Sequence, residues 1–181
     1  YTQGQLKQAL SEATQMLEGF PNSVVLYNIA GASNAGLMQF DAAIDSYKQA
    51  LKIKPDYADA YNNMGVALND KGDQEAAIDS YKQALKIKPD YVEAYNNMGN
   101  TLKDQGDLGA AIDSYKQALK IKPDYAEAYN NMGNTRELQL LDGGATVEPQ
   151  DPPLEQLQLI INLYTQGQLK QALSEATQML E

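Results

Sequence analysis

A string of sixteen residues, AAIDSYKQALKIKPDY, occurs three times without a change, at 42–57, 76–91 and 110–125, each copy 34 residues from the last. A shorter string, AYNNMG, follows in the same phase at 60–65, 94–99 and 128–133. Repetition at a fixed period restricts the fold more than composition does, because each unit is then one small supersecondary piece. One such piece cannot bury both of its faces, so the units must pile into a solenoid.

Within the unit the apolar residues give two helices. Ala60, Tyr61, Met64, Ala67 and Leu68 recur at intervals of three and four, as do Ala76, Ala77, Ile78, Tyr81, Ala84, Leu85 and Ile87. Between them Lys71-Gly72-Asp73 predicts a tight turn, where glycine takes a left-handed backbone and aspartate caps the next helix. Lys88-Pro89-Asp90 closes the unit: proline stops the second helix, and Asp90 is placed to cap the first helix of the next unit. Gly65 and Gly99 fall inside the first helix, at a cost of about 1 kcal/mol each. A glycine recurring at that cost predicts a close helix crossing, with Tyr81 filling the space beside the small Ala77 and Ala84.

These residues resemble the tetratricopeptide repeat. In the unit 58–91 the matching positions are Tyr61, Met64, Gly65, Leu68, Ala77, Tyr81, Ala84 and Pro89. In 92–125 they are Tyr95, Met98, Gly99, Leu102, Ala111, Tyr115, Ala118 and Pro123. The unit 24–57 keeps Tyr27, Gly31, Ala43, Tyr47, Ala50 and Pro55, with Ala30 and Asn34 in place of larger residues. Met38 stands where the other units have Gly72 and Gly106, and Gly36 is expected to take over that turn. A half repeat, 126–141, keeps Tyr129, Met132 and Gly133 and loses the pattern after Arg136. The resemblance implies an all-α fold, an α-solenoid of helix-turn-helix repeats wound as a right-handed superhelix over residues 1–141.

The ends of the chain are unusual. Residues 1–18, YTQGQLKQALSEATQMLE, return letter for letter at 164–181. In the 34-residue phase the first copy (4–18) is the second helix of a capping repeat, with Ala9, Ala13, Met16 and Pro21 in the alanine, aromatic, alanine and proline places. The matching first helix lies at the far end, where Leu154, Leu157, Ile160, Ile161 and Tyr164 form an apolar stripe. Residues 154–181 therefore read as a whole helix pair, joined to the solenoid by a linker at 142–153, DGGATVEPQDPP. Leu6, Leu10 and Leu17 are expected to stand exposed where a partner should cover them, at about 1.5–3 kcal/mol for each one fully buried. Together with Leu154, Leu157, Ile160 and Ile161 they are the expected self-assembly residues. Either the C-terminal pair of one chain completes the first or last repeat of another, giving a swapped dimer or head-to-tail fibre, or it folds back as a cap on its own chain. Such near-perfect repetition with a copied terminus leaves two origins open, engineering and recent duplication.

Composition removes several function classes. With no cysteine and no histidine, the chain offers no thiol nucleophile, no imidazole base and no conventional zinc site, so no metal or cofactor is expected. Carboxylate pairs such as Asp41 with Asp45 lie on exposed helical faces, and Gly143-Gly144 has no phosphate-loop lysine near it. The chain is not expected to be an enzyme, although some arrays of this family precede transferase domains, which leaves a catalytic parent open. Fourteen basic against 24 acidic residues give a net charge of −10, which argues against a nucleic-acid partner. Residues 137–181 hold seven acids against Lys170 alone, so the acidity sits in the tail and the repeat body is close to neutral. Lys48, Lys52 and Lys54 and their copies read as a solvated convex face. The longest mostly apolar stretch, residues 157–164, is far too short to cross a bilayer, so no membrane is expected. No targeting signal is visible in a chain that starts at Tyr1 and reads as a fragment; a natural version is expected in the cytoplasm.

The expected partners are proteins or extended peptides. The resemblance implies that the first helix of each pair lines a concave surface where such peptides lie. Asn28, Asn62, Asn96 and Asn130 fall there once per unit, with Asn63, Asn97 and Asn131 beside them. An amide donates and accepts, so a ladder of amides suits a peptide backbone of any sequence. The pattern looks similar to the asparagine ladder in the repeats of O-linked N-acetylglucosamine transferase; the alternative is a solvated polar face copied with the repeat. The carboxylate clamp of the family fits poorly: its basic places hold Asn28, Glu93 and Asn97, Ala32 replaces an expected asparagine, and Asn63 alone fits. Asp59, Glu93, Glu127, Asp70 and Asp104 make the groove acidic and favour a basic or neutral peptide.

Overall fold

The computed structural model describes residues 2–141. The expected linker 142–153 and the helix pair 154–181, with Leu154, Leu157, Ile160 and Ile161, lie outside the described residues. Among those described there are eight helices and no strand: α1 (Gln3–Gly19), α2 (Val24–Gly36), α3 (Phe40–Ile53), α4 (Ala58–Lys71), α5 (Gln74–Ile87), α6 (Val92–Asp104), α7 (Leu108–Ile121) and α8 (Ala126–Leu141). Connections of two to four residues force consecutive helices to run in opposite directions. Each helix packs on the next in sequence, and α2, α4, α6 and α8 also touch one another in order. The second helices, α1, α3, α5 and α7, make no such contacts among themselves. The stack is therefore closed on the first-helix side and splayed on the other, so the first helices line the concave face. The fold is an all-α solenoid.

Glycine and tyrosine lock each pair. A Cβ placed at Gly31 would come within 2.5 Å of the Tyr47 ring, at Gly65 within 2.6 Å of Tyr81, and at Gly99 within 2.5 Å of Tyr115. No side chain larger than hydrogen fits beneath these rings, which explains why a helix-weakening residue recurs there. Tyr47, Tyr81 and Tyr115 are the largest fully buried side chains, surrounded by Ala43, Ala50, Ala77, Ala84, Ala111 and Ala118, all wholly buried. Each ring also reaches the next unit: Tyr47 clusters with Ala67, and Tyr115 with Ala128. Burial pushes the Tyr47 phenol up to about 12, and does the same at Tyr115, whose hydroxyl donates to Asn100 Oδ1 at 2.8 Å.

The turns depart from the sequence expectation in three ways. Gly72 and Gly106 take the left-handed backbone at φ 98° and 86°, and Met38 takes it as well, at φ 61°. Gly36 does not take over that turn: it ends α2 in ordinary helical backbone, and its missing Cβ makes room for Leu6, whose Cδ1 would lie 2.9 Å away. Asp90 does not cap α6, because the capping position is Tyr91 and no side chain bonds the first turn. The turn is closed by Tyr91 N donating to Lys88 O at 3.2 Å, and the Lys88 ammonium lies 4.2 Å from the Tyr91 ring centre, with Lys54–Tyr57 and Lys122–Tyr125 repeating the contact at 5.4 Å. Asp107 caps α7 by accepting from Ala110 N at 3.0 Å, whereas Asp73, at the head of α5, makes no capping bond and pairs with Lys71 at 3.5 Å.

The first helix is less open than expected. Leu10 and Leu17 pack on the cluster of Ala13, Leu26 and Ala30, and Leu6 lies against Gly36. All three leucines are half-buried on α2, so they do not form the exposed face. The reason is phase: they correspond to Phe40, Ile44 and Leu51 of α3, and Ile44 is buried in the cluster that includes Ala67 of the following α4. The bare side of α1 is the one carrying Met16, 50% exposed in the place where Ala50 is wholly buried. Further along, α8 exposes Tyr129, Leu138, Leu140 and Leu141, and among the described residues Gly133 has nothing within 4 Å where its counterparts meet a tyrosine ring.

Candidate functional site

The concave face carries one acidic row and one amide row. Asp59, Glu93 and Glu127 stand in the second position of α4, α6 and α8, 34 residues apart, and all three are exposed. The asparagines stand three and four places further along each helix, and they do not project freely into the groove. Asn63 Nδ2 donates to Asn28 Oδ1 at 3.2 Å, Asn97 Nδ2 to Asn62 Oδ1 at 3.1 Å, and Asn131 Nδ2 to Asn96 Oδ1 at 3.0 Å. The result is one amide link between each first helix and the one before it, from α2 to α8.

The remaining amide atoms extend the network. Asn62 Nδ2 donates to Asn63 Oδ1 at 3.3 Å, and Asn96 Nδ2 donates to Glu127 Oε1 at 2.9 Å. The other Glu127 oxygen accepts from the Tyr125 hydroxyl at 3.0 Å, which, after burial, helps hold that phenol up at about 12. Tyr91 is raised too, by burial first and then by a hydrogen bond with Asp59. Asn62 and Asn96 are buried, Asn96 to 1% exposure. Asn28, Asn63, Asn97 and Asn131 are half-buried, and Asn130 and Glu93 are exposed. The structure thus brings six of the seven expected asparagines into two runs of hydrogen bonds between first helices, Asn28–Asn63–Asn62–Asn97 and Asn131–Asn96–Glu127, and leaves Asn130 outside both. Unsatisfied amides cost about 1–3 kcal/mol each when buried, so a chain that satisfies them in pairs fixes the spacing of the units.

Two features escaped the sequence reading. Val25 and Ile29 of α2 are exposed at 61% and 39%, and they occupy the phase positions of Asp59 and Asn63. The groove therefore changes from apolar at α2 to acidic over α4, α6 and α8. Counting back 34 residues from Asp59 and Asn63 would have found both. Glu127 as a second-neighbour acceptor for Asn96 carried no sequence signal, because the pairing depends on side-chain direction. No described helix is long and apolar enough to cross a membrane.

Comparison with known proteins follows the same lines. A family model described as TPR repeat matches residues 39–69, 67–106 and 99–139, together more than half of the chain. None of the curated proteins matches. Among solved structures, the crystal structure of MamA is similar at 27% identity with a TM-score of 0.69, over 76% of this chain and 81% of that one. The Sgt2 TPR domain from Aspergillus fumigatus is similar at 21% identity and a TM-score of 0.64, over 71% and 87%. The first TPR of Spaghetti (RPAP3), bound to an HSP90 peptide, is similar at 20% identity and a TM-score of 0.62, over 65% and 93%.

Proposed function

The chain belongs to the tetratricopeptide repeat family, and we propose that it is a protein–protein interaction scaffold that assembles with itself through the sides of α1 and α8 left bare among the described residues. The observation that carries this reading is the contrast along one row of glycines. Gly31, Gly65 and Gly99 each lie under a tyrosine ring, while Gly133 has nothing within 4 Å among the described residues. Met16 at the other end is half-exposed in a place where three alanines are buried. The two outer helices of the described residues thus each keep a bare side, and residues 154–181, read from the sequence as a helix pair, are the proposed neighbour. Swapping of that pair between chains fits the heterologous contacts that build open or closed rings of identical copies. Light scattering on the intact chain beside a version ending at residue 153 tests it. Oligomers that vanish on truncation support the reading, and identical monomeric masses refute it.

A second reading is favoured by the exposed Val25 and Ile29 at the head of the acidic row. There the groove takes an extended peptide with an apolar residue at one end and basic residues along Asp59, Glu93 and Glu127. The amides are then stack holders, and the acids and the α2 pair make the contacts. Fluorescence anisotropy with a basic peptide, with and without Val25→Asp, decides it: binding that Val25→Asp leaves unchanged rules this groove out.

A further inference from the structure

The turns between units end in one recurring tyrosine. Tyr57, Tyr91 and Tyr125 stand just ahead of α4, α6 and α8, two residues before Asp59, Glu93 and Glu127. Each tyrosine has two acceptor places to choose from, the acid of its own helix and the residue in that place on the first helix before it. The structure holds one tyrosine in each arrangement. The Tyr91 hydroxyl is hydrogen-bonded to Asp59 of the earlier helix. The Tyr125 hydroxyl donates to Glu127 Oε2 of its own helix at 3.0 Å. For Tyr57 the earlier place is Val25, which accepts nothing, and its own Asp59 is taken by Tyr91. Ring placement separates the arrangements as well. Tyr91 is buried while Tyr57 and Tyr125 are half-buried. The Lys88 ammonium lies 4.2 Å from the Tyr91 ring centre, against 5.4 Å for the other two pairs.

Where the two arrangements meet, one acid is left over. Glu93 is exposed and makes no hydrogen bond among the described residues, although its charge helps to raise both Tyr91 and Tyr125. The amides follow the acids. Asn96 Nδ2 donates to Glu127 Oε1 at 2.9 Å. Asn62 holds the same place one unit earlier, in an identical AYNNMG string, yet it donates to Asn63 Oδ1 at 3.3 Å. An acid held by its own tyrosine draws the amide of the helix before it, whereas the unheld Glu93 leaves that amide to its neighbour.

We propose that the free carboxylate is a movable vacancy: Tyr125 exchanges between Glu127 and Glu93, and the vacancy passes with it between α6 and α8. In the exchanged form Tyr125 bonds Glu93 as Tyr91 bonds Asp59. Asn96 Nδ2 turns to Asn97 Oδ1 as Asn62 turns to Asn63, and Glu127 is released. The number of tyrosine–carboxylate bonds is unchanged, and each new bond copies one already present in the chain. The one loss is that Asn96 trades a carboxylate for a neutral amide, which favours the present form. A cation at Glu127 offsets that loss, and a cation at Glu93 deepens the preference. Under the groove-binding reading above, a basic group meets the free acid on α6 in one form and on α8 in the other. The exchange itself needs no ligand.

Double-mutant cycles in the full-length chain, read by urea unfolding, therefore test it with nothing bound. In the parent, Tyr125→Phe and Glu127→Ala are expected to couple at least about fivefold in the unfolding constant, while Tyr125→Phe and Glu93→Ala are additive. In a Glu127→Ala background, Tyr125→Phe and Glu93→Ala are expected to couple at least about fivefold, because Tyr125 has moved. The side-chain amide signals of Asn97 in nuclear magnetic resonance spectra are expected to shift in Glu127→Ala as Asn96 turns to its oxygen. Coupling of Tyr125 to both acids in the parent also supports the exchange. Additivity of Tyr125 with Glu93 in the Glu127→Ala background overturns it, and so does additivity with both acids in the parent. Coupling to Glu93 with the Asn97 signals unmoved overturns the amide half of the exchange.

Discussion

Replacing Gly99 and Gly133 with alanine, one at a time, should change stability in opposite directions although both lie at the same place in a first helix. Alanine in a helix interior is worth about 1 kcal/mol over glycine when nothing else changes. At Gly133 nothing among the described residues lies within 4 Å of the added Cβ, so Gly133→Ala should raise stability by about 0.5–1 kcal/mol. At Gly99 the Cβ would sit 2.5, 2.8 and 2.9 Å from Cε1, Cδ1 and Cζ of Tyr115. Carbon atoms pack well at about 3.5–4.0 Å, so the ring must retreat by about 1 Å. It has no free path, because Tyr115 is fully buried and its hydroxyl is bonded to Asn100. Overpacking of this kind costs about 1–3 kcal/mol, and three close ring atoms put it in the upper part of that range. The net loss is then about 1–2 kcal/mol. Urea unfolding followed by circular dichroism reads both variants as midpoint shifts at constant slope. If Gly99→Ala stabilises as much as Gly133→Ala, the glycine–tyrosine lock is not what holds the pairs.

Asn96→Ala should cost about 1–3 kcal/mol, since it strips Asn131 Nδ2 and Glu127 Oε1 of a buried partner. Asn130→Ala, at an exposed position, should fall within about 0.5 kcal/mol of the parent by the same urea assay. Met38→Gly should stabilise by about 0.5–1 kcal/mol, because an exposed methionine held at φ 61° gives up left-handed strain and glycine returns only part of it in chain entropy. Burial raises the Tyr47 and Tyr115 phenols to about 12 from an ordinary 10.0. The folded state therefore prefers the protonated form, its contribution is complete below about pH 10, and it is lost as pH climbs from 10 toward 12. Phenolate absorbance and helical signal should change together over that interval; phenols that ionise near 10 with the helices intact would refute it.

Much of the solenoid was legible because one period sets every element. The two helices, the prolines that end them and the glycines under the tyrosines all follow from the phase. What the phase hides is direction. The amide links join residues 35 apart, such as Asn28 with Asn63, one more than the period, so they run diagonally between units and look like a free ladder in the sequence. Leu10 could have been placed correctly, since its phase equivalents Ile44, Ile78 and Ile112 face the following unit and are buried. The expected exposed leucines arose from treating α1 by its missing partner alone, without asking which side that partner covers. Asp90 was misjudged by one place: α6 begins at Val92, so the capping position falls on Tyr91, which makes no capping bond. The groove residues Val25 and Ile29 were within reach of simple phase counting. Glu127 as partner of Asn96 was not, since it required the rotamers of two side chains on adjacent helices.

The proposed function is that units stacked at a 34-residue period keep bare sides on α1 and α8 among the described residues, and that further copies of the chain cover them. Sedimentation velocity of the intact chain over a wide concentration range tests it most directly. The account predicts a series of species at whole-number multiples of 19.8 kDa, shifting to larger members as concentration rises. A single species of 19.8 kDa at every concentration would contradict it.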